Sequence, residues 1–193
     1  MIVEKISRSI CLVKYRKLPL REYEKESDEY IDYYPKVKSV YWLKLEDDSE
    51  KNVSKEITNL VKKLGIENLI FLGEMDKPWI SKSTASRIDY KPLVETIEYF
   101  KSNKIEKKFN GGVKVGIEEL KKFIFYFYTI TKCDGGFFDF NFIDENQNLV
   151  FYIHYSGEIQ IFTLNENSNK HFLNIVADTK FIDSMRENTN RIS

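Results

Sequence analysis

The 193-residue chain has few of the residues that most often carry chemistry. Its two cysteines, Cys11 and Cys133, lie far apart, with no Cys-x-x-Cys and no Cys/His ligand spacing around them. That excludes a disulfide framework and the common zinc motifs, and it suits free, buried thiols in a reducing compartment. Two histidines occur, His154 and His171. The glycine pairs Gly111-Gly112 and Gly135-Gly136 lack the strand, glycine loop and helix start of a phosphate site, and they read as turns. No apolar run approaches the ~20 residues of a membrane helix. Glu4, Lys5 and Arg8 interrupt any signal-peptide core. Neither sign of charge dominates, since Lys plus Arg and Asp plus Glu both number 30, whereas a dedicated nucleic-acid binder shows a basic excess. The expectation is a soluble, cytoplasmic protein without a membrane segment or a nucleic-acid partner, and no motif implies a cofactor or a metal.

Apolar residues are plentiful. With 42% hydrophobic and 15% aromatic side chains, a single domain over residues 1–193 can bury a full core. The patterning predicts an α+β fold: a βαβ-like N-terminal part and a C-terminal antiparallel three-stranded meander packed with helices. Ile6 to Lys17 reads as a strand, and Leu20 to Tyr34 as a short exposed helix ended by Pro35. Lys38 to Glu46 is a strand with Val40 and Trp42 on one face and Tyr41, Leu43 and Leu45 on the other. Val53, Ile57, Leu60, Val61 and Leu64 form the stripe of an amphipathic helix closed by Gly65. Glu67 to Glu74 is a doubly buried strand. Strand, helix, strand with short links is a βαβ unit, so its two strands are expected parallel.

Glu74 to Pro92 has no clean period and reads as a long loop of a length often functional or mobile. Asp89 is expected to cap a helix entered at Pro92, with Leu93, Ile97 and Phe100 buried. Asn110-Gly111 carries a hairpin signature. Residues 117–131 combine helical spacing (Ile117, Leu120, Ile124, Phe127) with a run suited to a strand; their length and acidic start favour a helix. The stretch from Lys170 to Asn188 reads as a C-terminal helix using Phe172, Ile175, Val176 and Ile182.

The region from Asp134 to Glu166 has the strongest two-residue period. Parity requires Phe142 to face Phe151 and Phe140 to face Ile153, with Phe138 on the same core face. In the second hairpin, a three-residue loop puts Gly157 at a left-handed position and pairs Ile153 with Ile159 and Phe151 with Ile161. The opposite face then carries Asp139 across from His154 and His154 across from Glu158, beside Asn141, Tyr152 and Gln160. An imidazole between two carboxylates can serve as an oriented general base, or with them as a metal ligand, though no nucleophile or oxyanion donor is recognisable nearby. The same row also suits a solvated sheet face or a partner-binding face. Trp79, in its Pro/Ser/Thr loop, and Asp47 and Asp48, in the acidic run after the second strand, are further candidate contacts.

In size, composition and lack of active-site residues the chain resembles the stand-alone cytosolic immunity proteins that bacteria pair with polymorphic or contact-delivered toxins. The resemblance implies a non-catalytic inhibitor that occludes the active site of a toxin domain, often a nuclease with a basic cleft. Asp47, Asp48, Trp79, Asp139, Tyr152, His154 and Glu158 are then the expected contact residues. The rival expectations are a small enzyme centred on His154, with the Glu74–Pro92 loop as a lid, and a structural or assembly subunit.

Overall fold

The computed structural model describes residues 3–74, 77–106 and 108–192. Eight strands form one sheet: β1 (Val3–Ile6), β4 (Ser39–Lys44), β5 (Asn68–Gly73), β6 (Gly112–Gly116), β7 (Phe140–Asp144), β8 (Leu149–Ile153), β9 (Ile159–Thr163) and β10 (Ile182–Asp183). Their spatial order is β1-β6-β5-β7-β8-β9-β4-β10, and every neighbouring pair is antiparallel. Strands β2 (Leu20–Glu24) and β3 (Glu29–Tyr33) make a separate hairpin. The helices are α1 (Arg8–Lys14), α2 (Glu50–Lys63), α3 (Lys91–Ser102), α4 (Ile117–Cys133) and α5 (Glu166–Val176). Mixed helix and antiparallel sheet make the fold α+β. None of the described helices is long and apolar enough to cross a membrane.

Helices pack on one face of the sheet. The stripe Val53, Ile57, Leu60 and Val61 of α2 and the residues Leu120, Phe123, Ile124 and Phe127 of α4 pack onto Phe71, Phe142, Phe151 and Ile161. Phe71 stacks on Phe142 at 4.5 Å and Phe142 on Phe151 at 5.3 Å, so cross-strand aromatic pairs tie the central strands together. Ser49 caps α2 by accepting from the Asn52 amide, and Gly65 follows its end at φ +70°. Residues 117–133 are helical, as their length and acidic start suggest.

The meander has the expected register. Phe142 pairs with Phe151, Phe151 with Ile161 and Ile153 with Ile159, and Gly157 closes the β8–β9 turn at φ +82°. The side chain of Phe138 lies outside the described part. The strands flanking α2, β4 and β5, do run in the same direction, but they are not neighbours: β7, β8 and β9 lie between them. The crossover is therefore filled by the C-terminal meander, so no βαβ contact forms.

Four local expectations are corrected. The segment Ile6–Lys17 is mostly helix α1, because Cys11 and Tyr15, four residues apart, must lie on one side to cover Ile70, Leu72, Ile143 and Val150. Leu20–Tyr34 is the β2–β3 hairpin, where Tyr23 pairs with Tyr30 at 5.3 Å between ring centres and Asp28 turns at φ 56°. Asn110-Gly111 closes no hairpin. Its glycines serve close approach, since a side chain at 111 would strike the Ile6 carbonyl oxygen and one at 112 the Cys11 sulfur. The last helix ends at Val176, where Thr179 donates to the Val176 carbonyl at 2.6 Å, and the chain continues to the edge strand β10. In addition, Asp89 does not cap α3. It pairs with Arg87 at 3.4 Å, and Tyr90 occupies the cap position.

Candidate functional site

The second face of the sheet is covered over half its width. Helix α1 and the segment Tyr15–Leu20 bury Ile70, Leu72, Ile143 and Val150. Beyond β8 this cover thins, with Phe162 of β9 and Leu164 only partly buried at its edge. The in-register row Leu72–Asn141–Tyr152–Gln160–Trp42 thus runs from a buried end to an open one. Tyr152, Gln160 and Trp42 are half-buried. The next row places His154 against Glu158, whose carbonyl accepts the His154 amide at 2.9 Å.

The C-terminal tail borders this open half. Ser184 donates its amide to the Trp42 carbonyl at 2.9 Å, and Asn190 donates to that of Val40 at 2.8 Å. From this tail Arg186 reaches back over the sheet. Its guanidinium carbon stands 3.9 Å from the centre of the Trp42 ring, and it forms an ion pair with Glu158. Trp42 in turn meets Tyr152 and His154 edge-on, each at 6.1 Å, and Tyr155 lies 4.1 Å from the His154 ring. One aromatic cluster with an ordered cation on it results.

The polar geometry decides what His154 can do. Its Nδ1 is 2.6 Å from the Ser156 hydroxyl, and that hydroxyl is 3.1 Å from Glu158. A serine has a single hydroxyl proton. Nδ1 also accepts the Ser156 amide at 3.3 Å, so its lone pair faces this turn, and the one hydroxyl proton serves either Nδ1 or Glu158. The order carboxylate–hydroxyl–imidazole also reverses the hydrolase arrangement, where the imidazole sits in the middle. Burial and the nearby Arg186 lower the His154 pKa, with Glu158 opposing, so the ring is neutral at pH 7. Arg186, followed by the Ser156 hydroxyl, keeps the Glu158 carboxyl below the usual range despite its partial burial.

The remaining expected contact residues are distributed as follows. Asp139 does not face His154. The β7 ladder begins at Phe140, and Asp139 ends a turn of 3₁₀ helix (Gly135–Asp139). Its carboxylate binds Lys77 at 2.7 Å and lies near Tyr152, whose phenol pKa is raised first by burial and then by that charge. Trp79, expected at the surface of its loop, has no exposed surface to offer a partner. It is fully buried among Phe100, Phe123, Phe127, Phe137 and Phe140, and its Nε1 donates to the Gly111 carbonyl at 2.8 Å. Asp47 accepts the Ser49 amide at 2.9 Å and so shapes the turn into α2, which lowers its pKa. Asp48 packs against Gly157, which joins the acidic turn to the His154 end of the sheet.

Tyr152, His154 and Glu158 are therefore brought together, with Asp48 and Asp139 at the borders. Trp42, Ser156 and Arg186 complete the cluster. The two-residue period of β4 puts Trp42 on the correct face, but its pairing with β9 spans more than a hundred residues of chain. Among the described residues, no three His, Cys, Asp or Glu side chains converge as a metal site would require. Comparison with protein-family models, with curated proteins and with solved structures finds no match.

Proposed function

We propose that the chain is a non-catalytic protein-binding protein of the immunity type. It neutralises a toxin domain by docking over that domain's active site, and the open half of the sheet is the surface it uses. The supporting observation is the row Tyr152–Gln160–Trp42 with Arg186 already stacked on the tryptophan. Trp, Tyr and Arg are the residues enriched among binding hot spots. A sheet presents them rigidly, and the stacked guanidinium is ordered before contact, so little side-chain entropy remains to be lost. Asp47, Asp48, Asp139 and Glu158 around the row complement a basic cleft and favour encounter with it.

The test is co-expression with the product of the adjacent gene, followed by size-exclusion chromatography and calorimetry. A 1:1 complex that abolishes the partner's toxicity is expected. Truncating one hot spot costs about 2 kcal/mol or more, so Trp42→Ala with Arg186→Ala weakens the complex by at least about thirtyfold. Undiminished affinity in this double variant would remove the open face from the reading. Absence of both complex and protection would remove the immunity role.

A further inference from the structure

A second surface lies on the other side of α1. Six of the eleven exposed large apolar residues among those described, Ile10, Val13, Tyr23, Tyr30, Tyr33 and Tyr34, belong to α1 and the β2–β3 hairpin and its end. Between these two elements runs a cleft of about 600 Å³. Leu12, Leu18 and Leu20 form its floor, and Tyr23 and Tyr33 line its hairpin side. Of the six, Tyr23 and Tyr33 line the cleft itself, and an apolar-floored cleft of this size with a few polar groups at its walls is the usual form of a binding site.

The charge around the cleft selects its occupant. Between Leu20 and Tyr34 the chain has six carboxylates against Arg21 and Lys25. Two of the carboxylates are spoken for: Glu22 pairs with Arg8, and Asp32 with Arg21 at 3.6 Å. Glu24 and Glu29 are not. They stand directly opposite one another in the hairpin register, on the same face as Leu20, and neither meets a cation among the described residues. Like charges directly opposite across a strand pair destabilise it. A cation from outside, held between them at the cleft's rim, would relieve that repulsion. Arg16 stands on the opposite wall, where it can meet a carbonyl oxygen of the same visitor.

We propose that the cleft between α1 and the β2–β3 hairpin is a second docking site, which receives a segment of a partner protein carrying apolar side chains beside Lys or Arg. The apolar group sits on Leu12, Leu18 and Leu20 beside Tyr33. The cation sits between Glu24 and Glu29. This site is separate from the Trp42–Arg186 face and does not rest on the function proposed for it.

The test uses the full chain, labelled with nitrogen-15, and three short synthetic peptides. The first is acetyl-Lys-Lys-Leu-Leu-Ser-Ser-amide; the second has Glu for Lys, and the third Gly for Leu. The first peptide is expected to shift amide resonances of residues 12–33 with saturation, and the other two to bind more weakly. The double variant Glu24→Gln, Glu29→Gln is expected to melt no lower than the parent, because a repulsion is gone, and yet to bind the first peptide about fivefold to tenfold more weakly. Trp42→Ala leaves peptide binding unchanged. No saturable shift with the first peptide, equal binding of the acidic peptide, equal binding of the glycine peptide, or full affinity in the double variant would each overturn the proposal.

Discussion

Arg186 lies over the Trp42 ring, with its guanidinium carbon 3.9 Å from the ring centre, while its nitrogens hold the Glu158 carboxylate. A planar cation suits both contacts at once, whereas a lysine ammonium can neither stack nor fork in this way. The arrangement also places a fixed positive charge close to His154 and helps keep that ring neutral. Replacing Arg186 with Gln removes the repulsion and leaves Glu158 free to attract an imidazolium. The His154 pKa is then expected to rise relative to the parent, read from the pH dependence of its ring proton shifts. An unchanged or lowered value would mean that the tail does not hold the arginine there.

In the parent protein the same shift sets a pH dependence of stability. The native His154 pKa lies below its ordinary 6.5, so between the two values the unfolded chain binds the proton and the folded one does not. Stability contributed by the neutral ring is present above pH 6.5 and is lost as pH falls through the native pKa. Urea titrations across this window should show the midpoint falling in the parent and falling less in His154→Gln. Parallel curves for the two proteins would refute the assignment.

The two tryptophans separate core from surface. Trp79 is fully buried in an aromatic cluster, and Trp79→Ala is expected to cost roughly 3–5 kcal/mol. Trp42 is half-buried and meets mainly Arg186, Tyr152 and His154, so Trp42→Ala is expected to cost about 1 kcal/mol or less. Iodide should quench the Trp42 fluorescence remaining in Trp79→Phe and spare the Trp79 fluorescence remaining in Trp42→Phe. Equal quenching would contradict the placement of both.

How far the sequence carries depends on the range of the interaction that decides each element. The register of β7, β8 and β9 follows from local parity together with one glycine, because a one-residue slip would turn every aromatic residue outward. The α2 stripe is equally local. Helix α1 is different: at seven residues it is too short for intrinsic propensity to prevail, and what makes it a helix is the distant apolar patch of β5, β7 and β8 that Cys11 and Tyr15 cover. The exposed hairpin was masked for the same reason, since its tyrosine pair matches no buried face. Which half of the sheet stays open depends on these two segments, and so does the candidate site. Asp139 shows the limit of parity: the β7–β8 ladder ends at Asn141 with Tyr152, two residues short of it, and Asp139 falls in a 3₁₀ turn instead. The contact between Arg186 and Trp42 spans most of the chain and has no local signature.

Gly157 is the single position on which the His154 end of the sheet turns. At φ +82° an L-residue is strained by about 1–2 kcal/mol. A methyl group there would also lie 2.7 Å from the Cβ of Asp48 and 2.8 Å from the Tyr128 hydroxyl oxygen, so the acidic turn or the β8–β9 turn must shift. Gly157→Ala is therefore expected to cost at least about 2 kcal/mol, seen as a lower urea midpoint with an unchanged slope. Ser156→Ala, one residue away on an exposed side chain, removes only hydrogen bonds open to water and should cost less than about 0.5 kcal/mol. The contrast distinguishes a strained, crowded glycine from general sensitivity of the turn. Equal losses in the two variants would show that neither the left-handed backbone nor the contact with Asp48 holds this end of the sheet in register.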